Sequence, residues 1–143
     1  MEYAILKVIH QEERMKIAVP IFNDQVSPRF DSAREIIIVD CNDGNIGDRK
    51  RLITIDMPCP EKIKRLIELK IDALLCGGID KMCEEYLKHF GIEVNSWLRG
   101  DAETILTNYL LNYKKFHKIN KYGGQIDVNK TIINNSITSF EID

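Results

Sequence analysis

Residues 72–80 read DALLCGGID, and the organisation of the whole chain is inferred outward from this stretch. The apolar run Ala73–Leu75 is typical of a strand covered on both faces. Gly77 and Gly78 permit backbone angles that other residues resist and leave room for a ligand near the main chain. Ligands of parallel α/β sheets bind beyond the carboxyl ends of the strands, where Cys76 would stand. Taken alone, the nine residues favour a simpler interpretation, a tight turn with a small buried thiol.

The composition bounds the class of protein. A chain of 143 residues suits one domain with a sizeable core. The formal net charge is −2, from 20 basic and 22 acidic residues, which gives no support for nucleic-acid binding. No run is long enough to span a membrane, and residues 3–9 lack the basic start and the cleavage site of a secretory signal. We therefore expect no membrane association, a cytoplasmic location and reduced thiols.

The cysteines and histidines do not form a recognisable metal motif. The four cysteines, at 41, 59, 76 and 83, include no C-x-x-C pair, which argues against a zinc ribbon or a thioredoxin-type site. The three histidines are scattered, so a fixed zinc site is not expected. Reduced thiols nevertheless remain available as soft ligands for iron or copper.

Hydrophobic periodicity and turn residues predict an alternation of strands and helices. The predicted order is strand, strand, strand, helix, strand, helix, strand, helix, with strands two and three forming an antiparallel hairpin over the turn at 42–45. It predicts an α/β fold with a mixed five-stranded sheet and helices on its faces, the succession found in ribonuclease-H-like folds. The predicted strands are 16–20 (ended by Pro20), 35–40, 51–55, 72–76 and 92–95, and the predicted helices are 61–70, 81–90 and 102 to about 116.

Three segments are expected. Residues 1–14 are interpreted as an N-terminal appendage, 15–116 as the α/β domain, and 117–143 as a polar tail or arm.

Two further predictions concern packing. The helix at 81–90 is predicted to bury one apolar stripe, and Trp97 is either a core anchor or part of a partner surface, with the core favoured. The stripe consists of Met82, Cys83, Tyr86, Leu87 and Phe90.

Five short motifs in order give the chain a family resemblance. They are KIAVP at 16–20, VSPRFDSA at 26–33, CGGI at 76–79, GIEV at 91–94 and GDAE at 100–103. Over about residues 15–113 the chain resembles the nitrogenase iron–molybdenum cofactor biosynthesis family. The resemblance implies a ribonuclease-H-like α/β domain that binds iron–sulfur or iron–molybdenum cluster precursors and passes them between proteins.

The chain departs from that family in its first loop. Members typically read His-Phe-Gly-x-Ala, whereas residues 29–33 read RFDSA, so Arg29 replaces a histidine that could ligate a cluster. Arginine cannot ligate iron because its guanidinium stays protonated, but it can pair with an anionic cluster, phosphate or carboxylate. The alternative is a surface arginine or a salt bridge to Asp31 or Glu35, and both interpretations stay open.

The expected cofactor-binding residues are Arg29, Phe30, Cys76, Gly77 and Gly78. Cys76 is the candidate metal ligand, beside glycine N–H groups that could bond a cluster sulfide or an oxyanion. This requires the first loop and the Gly-Gly turn to meet at one rim. Among the other cysteines, Cys83 is predicted to pack in the core, Cys59 to lie in an exposed loop, and Cys41 to lie at the opposite edge without a role.

The favoured hypothesis is a non-catalytic carrier that binds its cluster precursor transiently. Cluster donor and acceptor proteins are the expected partners, and a homodimer is left open. One alternative is a protein–protein adaptor of the same fold without a cofactor. A metal-dependent nuclease is less favoured, because that chemistry needs carboxylates gathered on strand ends and the first strand carries none.

Overall fold

The computed structural model describes the backbone of residues 14–123 and the side chains through 113. The predicted appendage, apart from Arg14, and the predicted tail beyond residue 123 lie outside the described residues. The last helix runs to Gly123, so residues 117–123, predicted as the start of the tail, are helical. The described chain divides into two units between Leu110 and Leu111, and the described part of the second is helical. No helix in the described range is long and apolar enough to cross a membrane.

The described chain is a mixed α/β fold with three helices. The sheet order is β4-β3-β1-β5-β6, and β2 pairs only with β1. Strand β1 is antiparallel to β3 and parallel to β5, which in turn is parallel to β6. The strands are β1 (Arg14–Phe22), β2 (Gln25–Val26), β3 (Glu35–Asn42), β4 (Asn45–Ile53), β5 (Ala73–Leu75) and β6 (Glu93–Asn95), and the helices are α1 (Cys59–Glu68), α2 (Lys81–His89) and α3 (Ala102–Gly123).

The sheet has six strands, one more than the predicted five, because the first strand continues past Pro20. Strand β1 turns at Asn23 and pairs with the short β2, through Ile21 opposite Val26. The carbonyl of Pro20 accepts a hydrogen bond from the Ser27 N–H at 2.9 Å. Proline is tolerated here because its missing N–H faces this loop and not the β3 ladder.

The predicted hairpin is confirmed. Strands β3 and β4 pair antiparallel over a two-residue turn in which Asp43 and Gly44 have φ of 52° and 81°. Positive φ at both turn residues matches the right-handed twist of the flanking strands. Strand β4 therefore begins directly after the turn, at Asn45, earlier than the predicted residue 51.

A separate apolar cluster covers each face of the sheet. Alternate residues of β1 point to opposite faces, as the strand period of two requires. Ala18 packs with residues of α1 and α2 such as Leu66 and Leu87. Ile17 and Val19 pack with Leu106 and Leu110 of α3. The prediction of helices on both faces is therefore confirmed.

The predicted stripe of α2 and the predicted burial of Trp97 are wrong. Only Leu87 of the stripe is buried, whereas Met82 is 79% exposed and Trp97 is 70% exposed. Leu87 sets the direction in which α2 faces the sheet, and Met82 lies about 140° from it around the helix axis. An apolar stripe wider than the contact with the sheet therefore leaves Met82, Tyr86 and Phe90 in solvent.

Candidate functional site

The first loop and the Gly-Gly turn meet at the carboxyl end of β5. The Gly78 N–H donates to the Pro28 carbonyl at 2.7 Å, and the Phe30 N–H donates to the Gly78 carbonyl at 2.8 Å. These two bonds place Arg29 beside Gly78 as an isolated parallel bridge. We call the two segments, 27–31 and 76–80, the rim.

Gly77 is required by the first loop. A Cβ on Gly77 would lie 2.4 Å from the Ser27 carbonyl oxygen and 2.6 Å from that of Pro28. Neither Gly77 nor Gly78 has a φ in the left-handed region. The expectation of unusual backbone angles is therefore wrong, and the room expected above Gly77 for a ligand is filled by the main chain of the loop.

Cys76 lies inside the protein. Its side chain is fully buried, its N–H donates to the Asn95 carbonyl, and its carbonyl accepts from the Leu98 N–H. Burial, with the negative charge of Glu84 as a smaller cause, raises the pKa of the Cys76 thiol to about 12. The thiol is therefore protonated at neutral pH in this conformation. Coordination by Cys76 stays a prediction, and it requires the rim to open and the thiol to lose its proton.

Phe30 and Lys62 anchor the first loop from below. Phe30 is fully buried, with the Lys62 Nζ 5.9 Å from the centre of its ring. The Lys62 ammonium donates to the Phe30 carbonyl at 3.2 Å and to the Asp31 carbonyl at 2.5 Å. Burial lowers the pKa of Lys62. Lys62 was not predicted from the sequence, although it lies four residues before Leu66 on the buried face of α1.

The Arg29 side chain is exposed and paired with Asp31. Its Nε donates to Asp31 Oδ1 at 3.0 Å, and its Nη2 donates to Oδ2 at 3.4 Å. The hydrogen bond to Arg29 holds the pKa of Asp31 below its usual value, and the same bond raises that of Arg29, with Asp80 a lesser contributor. The salt bridge to Asp31 is thus formed, while Glu35 pairs with Arg51 at 2.9 Å.

Helix α2 begins at the end of the rim, directly after Asp80. Asp80 occupies the N-cap position in an extended conformation, but its side chain makes no capping hydrogen bond. The positive end of the helix dipole therefore faces the rim without a side-chain cap. Asp80 and Arg29 still attract each other through their charges.

The structure brings together two cysteines that the sequence analysis assigned to different environments. Cys59 Sγ and Cys83 Sγ are 3.2 Å apart, and both residues are half-buried. Burial raises the pKa of Cys59 to about 12, helped by the hydrogen bond to Cys83. Cys41 is buried in the other apolar cluster. Within the described range, His, Cys, Asp and Glu form no group of three or more that could hold a metal ion.

A polar pocket of about 350 Å³ adjoins the rim, on α1 and the segment after β4. Asp31 and Lys62 belong to both the loop anchor and this pocket. On its other side the buried Thr54 hydroxyl donates to the Ala33 carbonyl at 2.7 Å. The lining is Asp31, Ser32, Ala33, Arg34, Thr54, Ile55, Asp56, Met57 and Lys62.

Most of the chain matches a known protein family. Residues 13–112 match the family model described as dinitrogenase iron–molybdenum cofactor. No curated protein matches the chain significantly.

Three solved structures show the same fold at low sequence identity. The crystal structure of PH0822 is 19% identical, covers 68% of this chain and 91% of its own, and has a TM-score of 0.62. A candidate dinitrogenase from Methanocaldococcus jannaschii is 22% identical, with coverages of 70% and 91% and a TM-score of 0.56. The apo form of the orange protein from Desulfovibrio gigas is 20% identical, with coverages of 70% and 89% and a TM-score of 0.54.

Proposed function

Because the chain belongs to the dinitrogenase iron–molybdenum cofactor family, we propose that it is a non-catalytic carrier of an iron–sulfur or iron–molybdenum cluster precursor or a related anionic cofactor. The cargo is bound transiently at the rim by Arg29, Phe30, Cys76, Gly77 and Gly78. The observation that carries the proposal is the pair of backbone hydrogen bonds that hold the Arg29 segment against Gly78.

Arg29 provides the first attraction for an anionic cargo. Its guanidinium is exposed, and its ion pair with Asp31 is of the solvent-exposed kind, which contributes little to stability. An anion can replace Asp31 at that small cost, and a guanidinium binds planar or multiply charged anions through several N–H donors. Phe30 and Lys62 keep the loop in place while the ion pair exchanges.

Cys76 provides the metal ligand in a second step. Among the rim residues it is the only thiol, and a soft metal of the cargo prefers thiolate. Coordination requires the Ser27–Pro28 main chain to move off Gly77, and metal binding supplies the free energy for deprotonation. A carrier that must release its cargo gains from a ligand that returns to a buried, protonated state.

Family membership supports further parts of the proposal. We propose a ribonuclease-H-like topology for the domain at 15–116, supported by the observed succession of elements. We also propose a cytoplasmic location, and cluster donor and acceptor proteins as partners.

The experiment is anaerobic reconstitution of the full chain with ferrous iron and sulfide, followed by gel filtration and visible absorption. Wild type should retain iron and a sulfide-to-metal charge-transfer band. Cys76→Ala should lose most of the band, whereas Cys41→Ala should keep it, because Cys41 is equally buried but lies in the other cluster. Equal bands in the two variants would remove Cys76 from the site, and no band in wild type would contradict the carrier function.

One observation favours the alternative, an adaptor of this fold without a cofactor. The apolar side chains of Met82, Tyr86 and Phe90 are about half exposed or more, on a helix that starts at the rim. The rings of Tyr86 and Phe90 are in tilted contact, with 5.1 Å between their centres, and exposed aromatic groups of this kind occur at protein interfaces. The adaptor hypothesis predicts that wild type retains no cluster after anaerobic reconstitution with ferrous iron and sulfide.

A further inference from the structure

The pair formed by Cys59 and Cys83 has no part in the proposed carrier site. Cys59 is the first residue of α1, and Cys83 lies in the first turn of α2. Their sulfur atoms are 3.2 Å apart, closer than two sulfur atoms bound to a common metal ion would stand and about 1.2 Å from bonding distance. Both residues are half-buried, so neither is fully enclosed by the protein.

We propose that Cys59 and Cys83 form a redox-active dithiol, which closes to an intramolecular disulfide when it meets a low-molecular-weight disulfide. The inference does not depend on cargo binding at the rim.

The reaction is two successive thiol–disulfide exchanges. One cysteine, as thiolate, attacks a sulfur of the external disulfide; the external S–S bond breaks and one small thiol leaves. The second cysteine attacks the resulting mixed disulfide and displaces the second small thiol. The two protons lost by Cys59 and Cys83 end on the two released thiols. The cysteine pair is oxidised by two electrons, and the external disulfide is reduced by two.

The surroundings suit a slow but directed reaction. Burial disfavours the thiolate of Cys59, so random oxidation is slow, while the nearby positive charge of Lys62 acts in the opposite sense. Once a mixed disulfide forms on one sulfur, the other is already in contact with it. The second exchange is therefore faster than the formation of a second mixed disulfide on the other cysteine.

The disulfide would tie α1 to α2 beneath the rim. Lys62 of α1 holds the carbonyls of Phe30 and Asp31, and α2 follows the Gly77–Gly78 turn. Oxidation would therefore limit the movement of one side of the rim relative to the other. The pair couples the thiol redox state to the stiffness of the rim.

The experiment treats the full chain, free of added metal, with oxidised glutathione, quenches with an alkylating agent and maps the cysteines by mass spectrometry. Wild type should lose two hydrogen atoms of mass and yield a Cys59–Cys83 linked peptide that a reductant separates. Cys41→Ser should behave as wild type. Cys83→Ser should stop at a stable glutathione adduct on Cys59, heavier by one glutathione and with no internal link.

Circular dichroism of Cys83→Ser checks that the variant is folded. The melting temperature of wild type, and not that of Cys83→Ser, should rise on oxidation, because a cross-link over 24 residues restricts the unfolded chain. Recovery of both cysteines as alkylated thiols or as separate glutathione adducts would overturn the proposal. So would a link from Cys59 to Cys76 or to a second chain.

Discussion

At the scale of single residues, the two neighbouring glycines Gly77 and Gly78 have different surroundings. The close approach of the Ser27 and Pro28 carbonyl oxygens leaves no space for a Cβ at Gly77. At Gly78 an added Cβ would lie 3.2 Å from the ring of Trp97 and 3.3 Å from the Pro28 carbonyl oxygen, both looser contacts than those at Gly77. That ring is largely exposed and can move, whereas the main chain at Gly77 cannot move without breaking the bonds of the rim.

Gly77→Ala should therefore destabilise the fold by about 1–3 kcal/mol, the range for overpacked sites. Gly78→Ala, the matched control, should cost about 1 kcal/mol or less, because the Trp97 ring yields and the Pro28 carbonyl oxygen has to move by only a few tenths of an ångström. Urea unfolding followed by circular dichroism measures both values. Equal losses in the two variants would show that the loop does not press on Gly77.

The sequence alone identified these glycines but not the reason for them. A Gly-Gly pair after a buried strand indicates a close approach, and only the fold reveals that the approaching group is another segment of the same chain. The alternative of a small buried thiol at Cys76, drawn from the same nine residues, agrees with its complete burial. Lys62 was missed because a lysine inside a helix is ordinarily a solvent-facing residue.

At the scale of elements, helices α2 and α3 begin in different ways. Asp101 precedes α3, and its Oδ2 accepts hydrogen bonds from the Thr104 N–H at 2.9 Å and from the Thr104 hydroxyl at 3.0 Å. Asp80 precedes α2 and makes no such bond. The residue type is the same, so the two positions form a natural comparison.

Asp101→Ala should lower the free energy of unfolding by about 1 kcal/mol, the usual value of a lost N-cap. Asp80→Ala should change it by a few tenths of a kcal/mol, which is typical of a surface substitution without a cap. Thermal or urea unfolding of the two variants against wild type is the measurement. A loss at Asp80 as large as that at Asp101 would mean that Asp80 caps α2 in solution.

Element positions were predictable where the signal is local. The end of α2 shortly before Gly91, which has a φ of 86°, and the β3–β4 turn depend on residues within a few positions of one another. Strand β2 was missed because two residues carry no periodicity. Its pairing arises because the chain turns back after Phe22, so that Gln25 and Val26 lie opposite Phe22 and Ile21. The exposure of α2 was missed because the sequence cannot tell which part of a wide apolar stripe meets the sheet.

At the scale of the whole molecule, the arrangement of strands and helices brings together the two segments of the rim and the two cysteines of the Cys59–Cys83 pair. Strands β1 and β5 are neighbours and parallel, so the loop after β1 and the turn after β5 emerge at the same end of the sheet. The binding hypothesis required this meeting of Arg29 with Gly78 from the predicted topology, and it is confirmed. The contact of Cys59 with Cys83 did not follow from it, because it depends on how α1 and α2 pack side by side on one face.

The central claim is that the rim is the place where an anionic cluster binds. The most direct measurement titrates the ¹⁵N-labelled chain with tetrathiomolybdate, a diamagnetic metal–sulfur anion, and follows the backbone amide shifts. Shifts should concentrate in residues 27–31 and 76–81 and weaken in Arg29→Ala, while the hairpin turn at 42–45 stays unchanged. Shifts centred on that hairpin turn, or an Arg29→Ala titration identical to wild type, would contradict the account.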